Sequence, residues 1–491
     1  MNIGEVDVKV PKEELFAILS QFNPWWREEK IPDLPIWCRA IFRELLLWIE
    51  NPPATRAVLL SGPRQVGKTT LLLQTIQKLV ESGVPPANIL YATFDHPVLK
   101  LAGLDTVLEA WRELEPKAEG PEYLFLDEAQ FIKDVGTWVK HEMDFFKTRR
   151  IVFTGSATPL LQADQESGVG RWHSLRISTL SFYEYLQIRK IHFPSLPQLS
   201  SVPELFESTS SELYKLSEAT IPLIGHFHEY LVRGGFPQTA LVDSITQAQK
   251  LLREDIIEKV LKRDMTALFG VRRILELELL FIYLCMHDGG IQDTTTIAKE
   301  LGIAKQTVHN FIDLLESTYL IYRLPPFGYG KEVLRGRNKI NLTDPAIAPA
   351  ILLKGKTILE DSHALGSCVE TAIIGHLFSH CSSRQARFSY RRSHKAQEVD
   401  LIVEMNGSLI PFEVKYQSQY VQERDVSGLS ELCKQKPSIQ HAYVLTKAPQ
   451  DIGKMENAST DARCVRIPAA LFCYWLGAAD FTQKNILLRS S

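Results

Sequence analysis

Residues 62–69 read Gly62-Pro63-Arg64-Gln65-Val66-Gly67-Lys68-Thr69, two glycines with four residues between them ahead of a Lys-Thr pair. The glycines allow a backbone wrap that aims successive N–H groups at phosphate oxygens, at the positive end of the helix that Thr70 opens. Lys68 would neutralise the β- and γ-phosphates of ATP, and Thr69 would hold Mg²⁺. Roughly 60 residues further on, Tyr123-Leu124-Phe125-Leu126 runs into Asp127-Glu128, the carboxylates such a loop needs. Asp127 would reach Mg²⁺ through its water shell, and Glu128 is the candidate base that orients the attacking water.

A second set of charges lies at 398–415. Glu398–Met405 and Ser408–Lys415 flank Asn406-Gly407, the signal for a two-residue type I′ hairpin. That turn sets 405 against 408, so 400 faces 413 and 398 faces 415. Val399, Leu401, Val403, Ile410, Phe412 and Val414 then share an apolar face, and Asp400, Glu413 and Lys415 share the other. Two carboxylates directly opposite stand about 5 Å apart and repel by up to roughly 1 kcal/mol. A divalent cation between them would turn the repulsion into binding, and oxygen donors suit Mg²⁺. Lys415 would orient water or stabilise negative charge on a phosphorus, and Glu370, on an expected helix over 364–378, is a further acid. A solvated charged face would use the same residues. Glu370, Asp400, Glu413 and Lys415 together resemble the PD-(D/E)xK nuclease core of Holliday-junction resolvases and restriction enzymes. That resemblance implies that the acids hold a metal and the lysine aids phosphodiester hydrolysis. Arg391, Arg392 and Lys395 would contact phosphate on the approach, or be solvated.

Positioning the first set takes buried strands whose carboxyl ends meet the loop. Ala57-Val58-Leu59-Leu60, Ile89–Phe94 and Ile151–Gly155 supply apolar runs, and their alternation with helical stretches predicts an α/β sandwich with a parallel sheet. The last run ends in Thr154-Gly155-Ser156, where Ser156 would sense the γ-phosphate or merely turn the chain. Arg171 follows Gly170 and precedes an expected strand over Arg176–Leu180; it would stabilise transition-state charge on a neighbouring subunit's nucleotide, or be solvated.

These motifs, with Leu180-Ser181-Phe182-Tyr183-Glu184 and the Gly234-Gly235-Phe236-Pro237 segment, resemble AAA-type ATPases of bacteria and archaea that carry a nuclease-like C-terminal domain. The resemblance spans about residues 36–420 and implies a multidomain α/β architecture, with homo-oligomers common among such proteins. The expected domains are an N-terminal helical segment (1–35), a P-loop ATPase core (36–190), a helical lid or linker (191–265), a winged helix-turn-helix (266–345) and a PD-(D/E)xK-like domain (346–491). The polar stretch 188–225 departs from the family pattern and reads as a loop or lid extension.

Between the two charged sets, Thr295–Gly302 and Ile303–Phe311 read as two short helices joined at a glycine, a helix-turn-helix signature. Val308, Phe311, Ile312 and Leu315 would face the core, leaving Lys305, Gln306, His309 and Asn310 outward to meet base edges or phosphates. Tyr319–Arg323 and Lys339–Leu342 would pair as a wing around a basic tip, Lys331 to Lys339. A protein-docking module would use the same scaffold.

Composition sets bounds. The 491 residues exceed one hydrophobic core, and 45% hydrophobic with 23% charged residues excludes wholesale disorder. Net charge is −3, so nucleic-acid affinity must come from local basic surface. Seven scattered cysteines without a C-x-x-C pair argue against a disulfide frame or zinc site and for a reducing compartment. The start lacks the basic and apolar regions of a signal peptide, and the apolar stretches near 275–286 and 468–479 are too short to span a bilayer. The expectation is a cytoplasmic, DNA-binding, Mg²⁺-dependent ATPase with no membrane contact. A nuclease-like domain is attached, or else a nucleotide switch whose C-terminal domain only binds.

Overall fold

The computed structural model describes all residues except 1–9, 157–169, 193–195, 198, 331–332, 334–335, 394–396, 456–461 and 489–491. Lys331, Arg335 and Lys395 therefore lie outside the described residues. The chain divides into two compact units, Met1–Ile177 and Ser178–Ser491.

In the first unit, helix α1 (Lys12–Phe22) precedes strand β1 (Ala57–Ser61) and helix α2 (Lys68–Glu81). Strands β2 (Ile89–Thr93), β3 (Glu122–Asp127), β4 (Arg149–Gly155) and β5 (Trp172–Arg176) follow. The sheet runs β2-β3-β4-β1-β5, and each pairing is parallel. Near-continuous apolar strands covered on both faces are what a parallel sheet requires. Leu15 and Leu19 of α1 join the same core as Leu90, Leu124 and Phe153. The turn after α1 closes the exposed edge of β2: Asn23 exchanges hydrogen bonds with the Tyr91 backbone, and Trp25 and Trp26 donate to the Ile89 carbonyl. Covering an edge removes a template for unwanted strand pairing. The last strand begins earlier than expected: Trp172 aligns with Ala57 and Arg176 with Ser61, so the ladder ends before most of the 176–180 run.

The second unit opens with a correction. The 188–225 stretch is not a loop throughout, because helix α3 (Ser210–Arg233) starts there with a reciprocal cap between Thr209 and Glu212. Helix α4 (Ile274–Met286) and strand β6 (Gly290–Gln292) follow. Then come α5 (Thr294–Leu301), α6 (Lys305–Ser317), β7 (Ile321–Leu324) and β8 (Asn338–Leu342). β8 is the central strand of an antiparallel sheet ordered β6-β8-β7. Val308, Phe311, Ile312 and Leu315 are buried, as their spacing predicts.

Helix α7 (Ser362–His380) leads into β9 (Ala386–Arg392), β10 (Glu398–Met405), β11 (Ser408–Lys415), β12 (His441–Thr446), β13 (Gly453–Met455) and β14 (Arg463–Pro468). These form a mixed sheet, β13-β14-β12-β11-β10-β9. Helix α8 (Ala469–Phe481) is buried nearly all round and packs on α7, so its apolarity belongs to the core. The Gly-Gly-Phe-Pro segment is a packing joint. A side chain at Gly235 would come within 2.5 Å of the Leu180 carbonyl oxygen, while its N–H donates to buried Asp344 at 2.7 Å. Among the described residues, no helix is long and apolar enough to cross a membrane.

Candidate functional site

Two sites emerge, one in each unit. In the first, the chain leaves β1 at Ser61, loops through 62–67 and enters α2 at Lys68. Gly62 is required by contact: a Cβ there would stand 2.1 Å from the Ile177 carbonyl oxygen. The Lys68 ammonium is buried and donates to the Gly62 and Pro63 carbonyls at 2.9 and 2.7 Å. At the end of β3, Asp127 meets three hydroxyls. Thr69 donates to it at 2.7 Å, Tyr91 donates at 3.0 Å, and Thr154 donates through a further short bond. β4 lies between β1 and β3, so Thr154 bridges the two motifs, and its hydroxyl accepts the Glu128 N–H at 2.9 Å. Ser156 accepts a bond from Gln130 at 3.2 Å, and Gln130 also holds the Glu128 carboxylate.

Glu128 has φ 55° and ψ 49°, a left-handed conformation that few residues other than glycine adopt. Such strain gathers where a side chain must be aimed. The donor set at Thr69 and Asp127 is a hydroxyl and a carboxylate, hard oxygen ligands that fit Mg²⁺. Arg171 pairs with Asp144 at 3.1 Å, both partly exposed. Sequence reasoning missed three contributors: Tyr91; Gln130; and Arg39, which is buried and donates to the Val66 carbonyl of the loop at 3.1 Å. Burial, then the Asp127 charge, raises the Tyr91 hydroxyl well above its ordinary value, so it stays a donor.

In the second unit, the hairpin has the expected register: Met405 faces Ser408 and Leu401 faces Phe412, with Asn406 and Gly407 both at positive φ. Asp400 and Glu413 stand adjacent, and the Asp400 carboxylate accepts the Val414 N–H at 2.8 Å. Glu370 projects from α7 toward them. The charges are not a solvated face, since Glu413 is 3% exposed.

Lys339 is the correction. Expected on a basic tip, it is 1% exposed, with its ammonium 2.9 Å from Asp400, 3.0 Å from Glu370 and 3.0 Å from Glu398. Alternation along β8 puts Asn341 on the same face, where it donates to Glu370 at 3.0 Å. Lys415 pairs with Glu413 at 2.7 Å. Burial would lower the Lys339 pKa, but Asp400, Glu370 and Glu398 outweigh it and hold the group charged. Burial pushes Asp400 up, yet Lys339, the Val414 amide and Lys415 bring it below the ordinary carboxylate range. Burial raises Glu370 to about 7, and burial with the Asp400 charge raises Glu413 to about 8.

The Mg²⁺ set of Glu370, Asp400 and Glu413 is therefore not a fit as arranged. An ammonium stands among its oxygens, and among the described residues no three acidic, histidine or cysteine side chains gather as a metal-holding group. The cluster lines a cavity of about 1050 Å³ that also reaches Arg337, Lys354 and His363.

On α6, Lys305, Gln306, His309 and Asn310 are exposed as predicted. Gln306 donates to Asn310 at 2.9 Å, and His309 lies 3.2 Å from the Thr294 hydroxyl. Arg337 pairs with Asp293 at 2.8 Å, and Arg391 with Glu431 at 3.1 Å, while Arg392 is exposed.

Comparison with known proteins bears on both units. Residues 54–186 match the AAA domain family. Residues 224–357 and 365–466 match two domains of unknown function, DUF8612 and DUF4143. An uncharacterized protein of Haemophilus influenzae is 25% identical over 293 residues, 58% of this chain and 66% of that protein, just under two thirds of its length. An uncharacterized protein of Methanocaldococcus jannaschii is 26% identical over 386 residues, 76% of each chain. Among solved structures, AMPPCP-bound DnaA from Aquifex aeolicus is similar at 14% identity and a TM-score of 0.26, over 58% of this chain and 92% of that one. The stretch that matches the AAA domain family, residues 54–186, thus holds the phosphate loop and both of its acids.

Proposed function

We propose that this AAA-type domain hydrolyses ATP and that the helix-turn-helix of the second unit directs the work onto DNA. The observation that carries the first half is the Thr69–Asp127–Thr154 chain of hydrogen bonds, which ties the phosphate loop to both acids. Bound Mg²⁺ would offset charge on the β- and γ-phosphates, held by Thr69 directly and Asp127 through water. The loop amides bind phosphate, Lys68 swings from its own carbonyls to the phosphates, and Glu128 orients water for attack. Phosphate release by the wild-type chain, set against Lys68→Ala, tests this. Turnover that survives the substitution ends the ATPase reading.

Support for DNA comes from the exposed Lys305, Gln306, His309 and Asn310 on the second helix of the pair, in the manner of a winged helix. Duplex affinity should fall with salt, and Lys305→Ala should lessen the slope by about 1 if that lysine meets a phosphate. Binding without salt dependence would remove DNA as the partner. Subunit assembly would bring Arg171 to a neighbour's nucleotide.

The hairpin and α7 suggest a PD-(D/E)xK-like domain, and metal-dependent cleavage of branched DNA is the activity that likeness would bring. Lys339 favours the other reading. With an ammonium among the acids, the domain serves an ATP-driven switch that binds DNA or a protein without cutting it. Incubating labelled duplex, forked and four-way DNA with Mg²⁺ separates the two, because cutting lost in Asp400→Asn would restore the nuclease.

A further inference from the structure

We propose that Lys339 is the resident cation of the acidic centre, standing where a nuclease-like site would take a divalent metal and so keeping that metal out. The inference rests on the nuclease-like reading of the hairpin and not on ATP turnover.

The geometry carries it. One ammonium lies within 3.0 Å of three carboxylates drawn from two elements, α7 and two positions on β10. Three N–H donors on one nitrogen can each meet one of these acceptors, the full capacity of an ammonium. The fourth acid, Glu413, has its own cation in Lys415. The chain builds toward this arrangement on every side. Lys339 comes from the central strand of its sheet, so pairing on both edges fixes its position. Asn341 fills the next place on the same face and holds Glu370. Gly289 lets the backbone close over Glu370, whose Oε1 would stand 3.0 Å from any Cβ there. The Asp400 oxygen that does not meet Lys339 accepts the Val414 amide.

A surface lysine reaching a site by chance would keep its length in water and give up the pair when a metal arrives. Lys339 is 1% exposed and held by a strand, so a metal must displace an ammonium that three carboxylates already hold. Mg²⁺ and Mn²⁺ also need several oxygens at once, and three of the four acids are already engaged by Lys339. The acids are thus held as an ion-paired joint between the β6–β8 sheet and the α7–β10–β11 body.

Free Mn²⁺, followed by electron paramagnetic resonance in a titration of the full chain without nucleotide, tests the proposal. The wild type should show no site that depends on Asp400. Lys339→Met, which keeps the apolar stem and removes the charge, should gain a Mn²⁺ site at least about tenfold tighter than any in the wild type. That gained site should disappear in Lys339→Met/Asp400→Asn. A wild-type Mn²⁺ site abolished by Asp400→Asn overturns the proposal, as does a folded Lys339→Met chain that gains none. If Lys339→Met does not fold, the wild-type and Asp400→Asn titrations decide alone. Phosphate release measured on the same samples shows separately whether the ATPase reading stands.

Discussion

The two sites use the same parts to opposite ends. Each sets a lysine beside carboxylates in a largely buried place. At the phosphate loop, Lys68 donates to two carbonyl oxygens and Asp127 accepts from three hydroxyls, so neutral dipoles meet both charges. A ligand can exchange for such dipoles with little net loss of charge pairing. In the second unit, Lys339 is ion-paired directly with three carboxylates, and Lys415 with a fourth. Separating them would leave charges buried and uncompensated. Readiness for chemistry and internal stability are thus alternative uses of one set of residue types, decided by what the charges touch.

The largest effect should come from breaking the ion-paired set. Lys339→Met should destabilise the second unit by about 3–5 kcal/mol, the cost of leaving carboxylates unpaired in the interior. Chemical unfolding measures it, and Lys339→Met/Asp400→Asn should lose less than the single variant because one orphaned charge goes with its partner. Equal or greater loss in the double variant would mean that packing, not charge, explains Lys339. Next comes the other side of the comparison. Glu128→Gln should leave stability nearly unchanged yet lower ATP turnover by roughly 10²–10³-fold, because that carboxylate serves a reaction rather than a fold. A stability loss matching that of Lys339→Met would erase the contrast.

Much of this contrast was legible in sequence, but unequally. The phosphate loop, Asp127 and Glu128 are local signals: short apolar strands end in the residues that act. The hairpin was legible for the same reason, since Asn406-Gly407 sets the register of 400 against 413 by itself. Lys339 was not. The alternation Lys339-Ile340-Asn341-Leu342 announces a strand, but the partners that make a buried lysine tolerable sit as far as 61 positions downstream. Lacking them, a lysine among four basic residues reads as surface. Within the expected helical lid, the start of the helix at Ser210 was obscured differently. Its serines suggested a loop, while the Thr209–Glu212 capping pair that starts it was present and passed over. Tyr91 gave no signal, because only the pairing of β2 with β3 brings it to Asp127.

Tyr91 offers a finer cut. Tyr91→Phe removes one of the three hydroxyls on Asp127 and keeps the ring that packs in the core. A hydrogen bond to a charged acceptor contributes about 1.5–3 kcal/mol. Thr69 and Thr154 remain, so the expected loss sits toward the lower end and should appear as a raised KM for ATP or a higher Mg²⁺ requirement. No change in either would show that two hydroxyls suffice to solvate Asp127.

The smallest effect belongs to a pair that lies in neither class. Arg171 and Asp144 approach to 3.1 Å, but their side chains are 38% and 39% exposed. Water screens such a pair, so Arg171→Ala should move the unfolding free energy by no more than about 0.5 kcal/mol. That near-silence makes the residue a clean probe of chemistry. Any loss of ATP turnover in Arg171→Ala then reports on the nucleotide rather than on the fold. Phosphate release should be followed across a range of protein concentrations. A per-chain rate that rises with concentration in the wild type and stays flat in the variant assigns Arg171 to a neighbouring subunit's nucleotide. Equal rates in both proteins at every concentration make it a surface ion pair, available to solvent and used by nothing else.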